Sequence, residues 1–164
     1  MTERRVRLEH IIRTLRPEEF PLLEDFLYEA IFIPEGVQPP PREIIRQPEI
    51  WLYIEDFGTE PWDIAYAAEV SGKVVGAAWV RIMDDYGHID DDTPSLAIAL
   101  YSQFRSKGLG TELMAALMEE LRKRGCKRVS LSVQKENRAV GLYRKCGFEV
   151  LSDKSEELIM AASL

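Results

Sequence analysis

Nine consecutive residues carry the sharpest chemical signal in the chain: Gln103-Phe104-Arg105-Ser106-Lys107-Gly108-Leu109-Gly110-Thr111. They lie between an apolar run and a long amphipathic segment. Glycines at 108 and 110 let a ligand approach the backbone with no Cβ in the way. A helix starting there presents unpaired N–H groups and the positive end of its dipole. Arg105 and Lys107 add formal positive charge, and Thr111 adds a hydroxyl. Together these groups suit an anion such as a pyrophosphate. The segment matches neither Gly-x-x-x-x-Gly-Lys-Ser/Thr nor Gly-x-Gly-x-x-Gly. Taken alone, it also reads as a plain glycine-containing connection.

A second segment decides between those readings: Glu136-Asn137-Arg138-Ala139-Val140-Gly141-Leu142-Tyr143-Arg144-Lys145-Cys146-Gly147-Phe148. Arg105-x-x-Gly108-x-Gly110, then a strand, then Asn137-x-Ala139-x-x-Leu142-Tyr143-x-x-x-Gly147-Phe148 resembles the GNAT superfamily of N-acetyltransferases. One motif alone is weak. Two in the right order, around a strand–helix–strand–helix frame, are specific.

The resemblance implies a set of roles. The strand before the glycine loop splays from the next parallel strand, and the pantetheine arm of acetyl-CoA enters the gap. The matching positions are Ile98, Ala99 and Leu100. The pyrophosphate rests on the backbone of Arg105, Ser106, Lys107, Gly108, Leu109, Gly110 and Thr111. Asn137 matches a residue that contacts the pantetheine arm; it also suits a helix N-cap. Tyr143 matches the family's usual general acid, and the backbone N–H near Leu100 is the expected oxyanion donor. The chemistry needs such an acid: an amine attacks the thioester carbonyl, a tetrahedral oxyanion forms and a thiolate leaves. A phenol, with a pKa of about 10 in water, can give that sulfur its proton. The resemblance fails at the general base: the strand Leu96 to Leu100 carries no acid or His. Some members carry a Glu on the strand before the Asn motif as general base, and Ser132 stands there instead. The base is left unassigned among His88, Glu55, Asp56 and Asp90.

The acceptor end is expected from residues 25–60, 84–93 and 152–158. The loop 84–93 holds Asp84, Asp85, Asp90, Asp91 and Asp92 with His88, and no Lys or Arg. Glu55, Asp56, Glu60 and Asp63 add to the negative charge. Such a mouth attracts a cationic amine. The same loop also reads as a solvated acidic surface. Asp84, Asp85, His88 and Asp90 are the acceptor-side candidates. Trp51, Tyr53, Phe57, Trp62 and Tyr86 either line the pocket or pack under the Pro-rich segment.

Elements must position these residues. Ile11 to Arg16 reads as a strand closed by Pro17, and 18–31 as a helix. Residues 42–56 read as one or two short helical pieces. Asp63–Val70 and Val74–Met83 form a hairpin about Ser71-Gly72-Lys73. Pro94–Tyr101 is a buried strand, 108–124 a helix with Gly125 at its C-terminus, and Val129–Val133 a strand. A short helix from Asn137 to Lys145 and strands at 148–151 and 158–162 complete the chain. The order β-α-β-β-β-α-β-α-β-β is an α+β, mixed α/β layer. The resemblance implies a mostly antiparallel central sheet of about six to seven strands, helices on both faces and a splayed parallel pair. One acetyltransferase domain over residues 1–164, with its core from about residue 10, is expected.

Composition agrees. The 164 residues hold 46% hydrophobic and 30% charged side chains, which suits a globular chain and not a disordered one. The net charge of −7 conceals a partition. Residues 1–100 carry 9 Lys and Arg against 20 Asp and Glu, residues 101–150 carry 11 against 5, and residues 151–164 carry 1 against 3. The basic third contains both motifs, so an anionic cofactor on one side and a cationic acceptor on the other are expected. An overall acidic chain argues against nucleic acid as a partner. Two cysteines, no signal-type leader and no apolar run of membrane-spanning length point to a reduced, cytoplasmic protein without a membrane partner. No metal is expected. The 158–161 strand offers pairing across a homodimer. The leading expectation is an acetyl-CoA-dependent N-acetyltransferase acting on a primary amine of a small molecule, peptide or protein, by direct attack in a ternary complex. A non-catalytic acyl-CoA sensor and a phosphate or nucleotide binder are the competing readings.

Overall fold

A computed structural model describes residues 9–164; the basic stretch at 1–8 lies outside the described residues. Among the described residues seven strands form one sheet: β1 (His10–Thr14), β2 (Ile64–Val70), β3 (Lys73–Arg81), β4 (Ser95–Leu100), β5 (Arg128–Gln134), β6 (Glu149–Lys154) and β7 (Glu157–Ser163). Their spatial order is β1-β2-β3-β4-β5-β7-β6. All pairings are antiparallel except β4 with β5. The helices are α1 (Leu23–Glu29), α2 (Pro48–Trp51), α3 (Leu109–Lys123) and α4 (Ala139–Lys145). This is the mixed layer expected.

Both faces of the sheet are covered, and the strand sequences reflect it. β3 is buried at every position after Lys73, so it reads as a continuous apolar run rather than an alternation. Its Gly76 cannot grow: a Cβ there would meet Leu100 Cδ2 at 2.2 Å. On one face α3 lays down Leu113, Leu117 and Leu121, each fully buried, with Leu109, Met114 and Met118 beside them. Truncating any one of the three leucines to Ala costs about 2–5 kcal/mol. On the other face Leu23, Phe26 and Leu27 of α1 pack with Ile45 against Ala67, Ala77 and Trp79.

Three local expectations change. The segment 18–31 is not one helix: a tight 3-10 turn (Pro17–Leu22) precedes α1. Pro21 lacks the N–H that a regular helix needs there. The 158–161 stretch lies inside β7, paired to β5 on one side and β6 on the other. Its backbone groups are already used, so it offers no edge to a second copy. Among the described residues the edge strands of the sheet are β1 and β6. Asp63 is no part of an acidic mouth: its side chain is wholly buried and takes a two-pronged hydrogen bond from Arg81 at 3.0–3.1 Å.

Candidate active site: a gap between two parallel strands

β4 and β5 pair at a single position, Ser95 with Ser130, and then part. The Ser130 N–H donates to the Pro94 carbonyl at 3.0 Å. The backbone of β4 therefore has an open edge beyond that point. Its direction follows from the ladder. The Tyr101 N–H donates to Val75 on β3 at 3.0 Å, so by alternation Ala99 and Ala97 also turn toward β3. Ile98 and Leu100 turn their N–H groups into the gap. The Leu100 carbonyl confirms the direction, accepting from Arg105 Nε at 3.1 Å.

The loop that leaves β4 exposes more backbone. The Arg105 N–H donates to Ser102 at 3.3 Å. The next six N–H groups, Ser106 through Thr111, have no hydrogen-bond partner among the described residues. Helix geometry explains the last three, which have no carbonyl one turn back. Two left-handed residues, Ser106 (φ 60°) and Gly108 (φ 86°), turn the loop into the helix. Gly108 faces open space, whereas a Cβ on Gly110 would stand 3.4 Å from Leu142 and 3.9 Å from Ile98 and Leu100. Gly110 thus joins α3, α4 and the open edge of β4 at one point. This set of donors, unpaired among the described residues at the positive end of a 15-residue helix, is suited to cradling an anion.

Side chains around the cradle divide in two. Lys107 is exposed and makes no ion pair among the described residues. The Arg105 guanidinium, expected to face the anion, is held instead by Glu29 at 3.1 Å as well as by the Leu100 carbonyl. Thr111 is exposed at the first turn of α3. Asn137 caps α4: its Oδ1 accepts the Ala139 N–H at 2.9 Å. Its Nδ2 has no partner among the described residues. Tyr143 is buried in the same core cluster as Leu100, its ring 5.9 Å from that of Phe148. Its hydroxyl makes no hydrogen bond among the described residues. Burial, and to a lesser degree Cys146, pushes the phenol well above the ordinary tyrosine range. It is a protonated donor without a partner among the described residues.

The loop that enters β4 is built differently. Asp85 accepts the Tyr53 hydroxyl at 2.9 Å and the Ser95 hydroxyl at 2.8 Å. Asp90 ties the loop: Oδ1 accepts from Thr93 (2.8 Å) and the Asp92 N–H (2.9 Å), and Oδ2 from Arg128 (2.8 Å). Those contacts, Thr93 first, hold its carboxyl below the ordinary carboxylate range. The His88 Nδ1–H donates to the Met83 carbonyl at 2.9 Å, and Nε2 lies 3.6 Å from Asp91. Asp84 is exposed. An open groove of about 400 Å³ runs between α2 and this loop, lined by Pro48, Glu49, Leu52, Asp84, Asp85 and Tyr86. Phe57 packs edge-on to Phe20, and Trp51 stacks under Arg46, so these two aromatics pack rather than line the groove.

The charge partition is also redrawn. Arg122, Lys123 and Arg124 belong to the basic third but sit at the far end of α3, about 20 Å from the cradle at 1.5 Å per residue. Arg122 and Arg124 pair there with Glu119 and Glu120. Arg128 lies against the acidic loop. Sequence reading missed Tyr53 and Ser95 as partners of Asp85, since nothing in their local spacing links them.

Comparison with known proteins gives the same assignment. The Acetyltransferase (GNAT) family model matches residues 24–148. A mycothiol acetyltransferase of Thermobifida fusca is 36% identical over 84 residues, covering 49% of this chain and 26% of that protein. An acetyltransferase of Pectobacterium atrosepticum is 32% identical over 91 residues, 54% of this chain and 60% of that protein. The chain thus spans less than two thirds of the length of these relatives. Among solved structures, the PaiA N-acetyltransferase of Thermoplasma acidophilum, in complex with coenzyme A, superposes with a TM-score of 0.67 at 19% identity. That match covers 96% of this chain and 100% of that one. The ribosomal-protein-alanine N-acetyltransferase of Brucella melitensis gives 0.65 at 23% identity, covering 94% and 99%. A splayed strand pair, a glycine-turned cradle and a family model spanning both motifs lead to one conclusion: the chain belongs to the Acetyltransferase (GNAT) family.

Proposed function

We propose that this protein transfers the acetyl group of acetyl-CoA to a primary amine, by direct attack within a ternary complex. The observation that carries the reading is the run of six N–H groups from Ser106 to Thr111 unpaired among the described residues, continuous with the open edge of β4. A pyrophosphate satisfies the first, and an extended amide-bearing arm such as pantetheine satisfies the second. The unpaired Nδ2 of Asn137 supplies one more donor to that arm. The Leu100 N–H is then the donor to the oxyanion, and Tyr143 the acid.

In this account the neutral amine attacks the thioester carbonyl. The N–C bond forms, the carbonyl oxygen takes up charge beside the Leu100 N–H, and the C–S bond breaks. Tyr143 gives its proton to the departing sulfur and regains one from the new amide nitrogen. The groove beside Asp84 and Asp85 is the acceptor entrance, and its charge favours a cationic amine. The acceptor is a small molecule, peptide or protein amine. Two free cysteines suit a reducing, cytoplasmic setting. The alternative of a non-catalytic sensor leaves the partnerless Tyr143 hydroxyl without a role.

Two measurements test the reading. Acetyl-CoA should raise the melting temperature and ATP should not. A panel of primary amines should then release CoA thiol from acetyl-CoA with an acetylated product detected by mass. Stabilisation by ATP alone, or thiol release independent of amine, would sink it.

A further inference from the structure

The last carbonyl on the open edge of β4 is already occupied. Leu100 turns its carbonyl into the gap together with its N–H, and Arg105 Nε closes that carbonyl at 3.1 Å. The rest of the guanidinium is held on α1. Its Nη2 donates to Glu29 Oε2 at 3.1 Å and to the Glu29 carbonyl at 3.4 Å. One turn earlier on the same helix, Asp25 accepts the Tyr101 hydroxyl at 3.0 Å, and the Phe26 ring lies 5.1 Å from that of Tyr101. α1 thus grips both ends of the short turn, Ser102–Phe104, that joins β4 to the cradle.

This placement separates Arg105 from the anion. α1 covers one face of the sheet, whereas α3 and Leu142 of α4, the neighbours of Gly110, lie on the other. The guanidinium is drawn to the α1 face and has a carboxylate there. Lys107 is the cation of the loop that makes no ion pair among the described residues. The side chains of Arg105 and Glu29 are 50% and 30% exposed, so their ion pair adds little stability. What it fixes is the direction of Nε.

That direction decides which groups of β4 stay open. With the Leu100 carbonyl closed, the Ile98 N–H, the Ile98 carbonyl and the Leu100 N–H have no partner among the described residues. An amide-bearing arm needs an acceptor for its own N–H. Were the Leu100 carbonyl open, the arm could dock there instead of at Ile98, displaced by two residues, roughly 7 Å along the strand. We infer that Arg105 is a positioning residue: its Nε occupies the Leu100 carbonyl, so that the donor's arm pairs with β4 in one register and the thioester carbonyl comes to rest against the Leu100 N–H. The inference rests on the acetyl-transfer reading above. Arg105 acts through the open groups of the backbone, and not through charge placed on a phosphate.

Two substitutions separate those roles. A glutamine amide nitrogen stands as many bonds from the backbone as arginine Nε, whereas lysine has a methylene there and its charge further out. Arg105→Gln therefore keeps the donor and loses the charge; Arg105→Lys keeps the charge and loses the donor. With saturating acetyl-CoA and the best amine of the panel, Arg105→Lys should lose about 10- to 100-fold in kcat, with KM for acetyl-CoA changed far less. Arg105→Gln should recover most of that loss. The same ranking should hold with S-acetylpantetheine, which carries the arm but no pyrophosphate. Lysine outperforming glutamine, equal kcat in the two variants, or a ranking that vanishes with S-acetylpantetheine overturns the inference. Each of these leaves acetyl transfer standing. A wild-type protein that binds acetyl-CoA yet acetylates no amine overturns both.

Discussion

Two loops flank β4, and they are built on opposite principles. The outgoing loop, 105–111, offers backbone: six N–H groups without a partner among the described residues. The incoming loop, 84–93, offers side chains, and its functional groups are engaged by residues far away in sequence: Asp85 by Tyr53, Asp90 by Arg128. A backbone cradle recognises what every CoA thioester shares, and its donors survive most side-chain changes. A cluster of side chains can be altered one group at a time, which suits the end that must fit a particular acceptor. On this view the cofactor end tolerates substitution of its side chains but not of its backbone shape, and the acceptor end does the reverse.

The contrast can be broken in several places. Tyr143 shares a core cluster with Leu100 at the end of β4, and Tyr143→Phe should lower kcat by about 10²- to 10⁴-fold with acetyl-CoA affinity unchanged. Its raised pKa means that the acid stays protonated through neutral pH. The alkaline fall in kcat should therefore lie above the range of an ordinary tyrosine. Next in size is Arg81→Ala, at the end of β3 where the incoming loop begins. Its side chain is 7% exposed and its partner Asp63 is fully buried. Leaving that carboxylate unpaired should cost about 3–5 kcal/mol of stability in denaturant unfolding. At the backbone end, Gly108→Ala forces a Cβ into a left-handed residue with φ 86°. That strain, about 1–2 kcal/mol, should appear as destabilisation or as roughly tenfold weaker acetyl-CoA binding. Smallest is Ser106→Gly, where the left-handed φ of 60° is relieved. It should be neutral or stabilising by up to about 1 kcal/mol in thermal melts. A large loss of cofactor affinity there would mean that the serine side chain, and not the backbone, holds the ligand.

The same contrast explains what could be read from sequence. The cradle was legible because glycine spacing and helix start are local, and the backbone needs no distant partner to be useful. The order of elements along the chain was legible for a related reason: apolar runs broken by Ser71-Gly72 and Gly125 mark elements directly. The incoming loop was not. Its acids looked alike on the page, yet the fold gives each a different task. Asp90 ties a turn, and Asp85 collects two hydroxyls from residues 10 and 32 positions away; Asp63, outside the loop but grouped with it by charge, vanishes into an ion pair with Arg81. Arg105 shows the limit at the cofactor end too. Its charge was readable, but its contact with Glu29, 76 residues earlier, was not. The position of β7 inside the sheet depends on β6 folding back along it, a pairing that no local pattern announces.

The account stands most directly on where the donor binds. Amide-resolved NMR during an acetyl-CoA titration should show saturable shifts concentrated at Ser106 through Thr111 and at Ile98 and Leu100. The amides of the 84–93 loop should respond weakly until an amine is added. Shifts confined to the 84–93 loop, or no saturable shift at Ser106–Thr111, would contradict it.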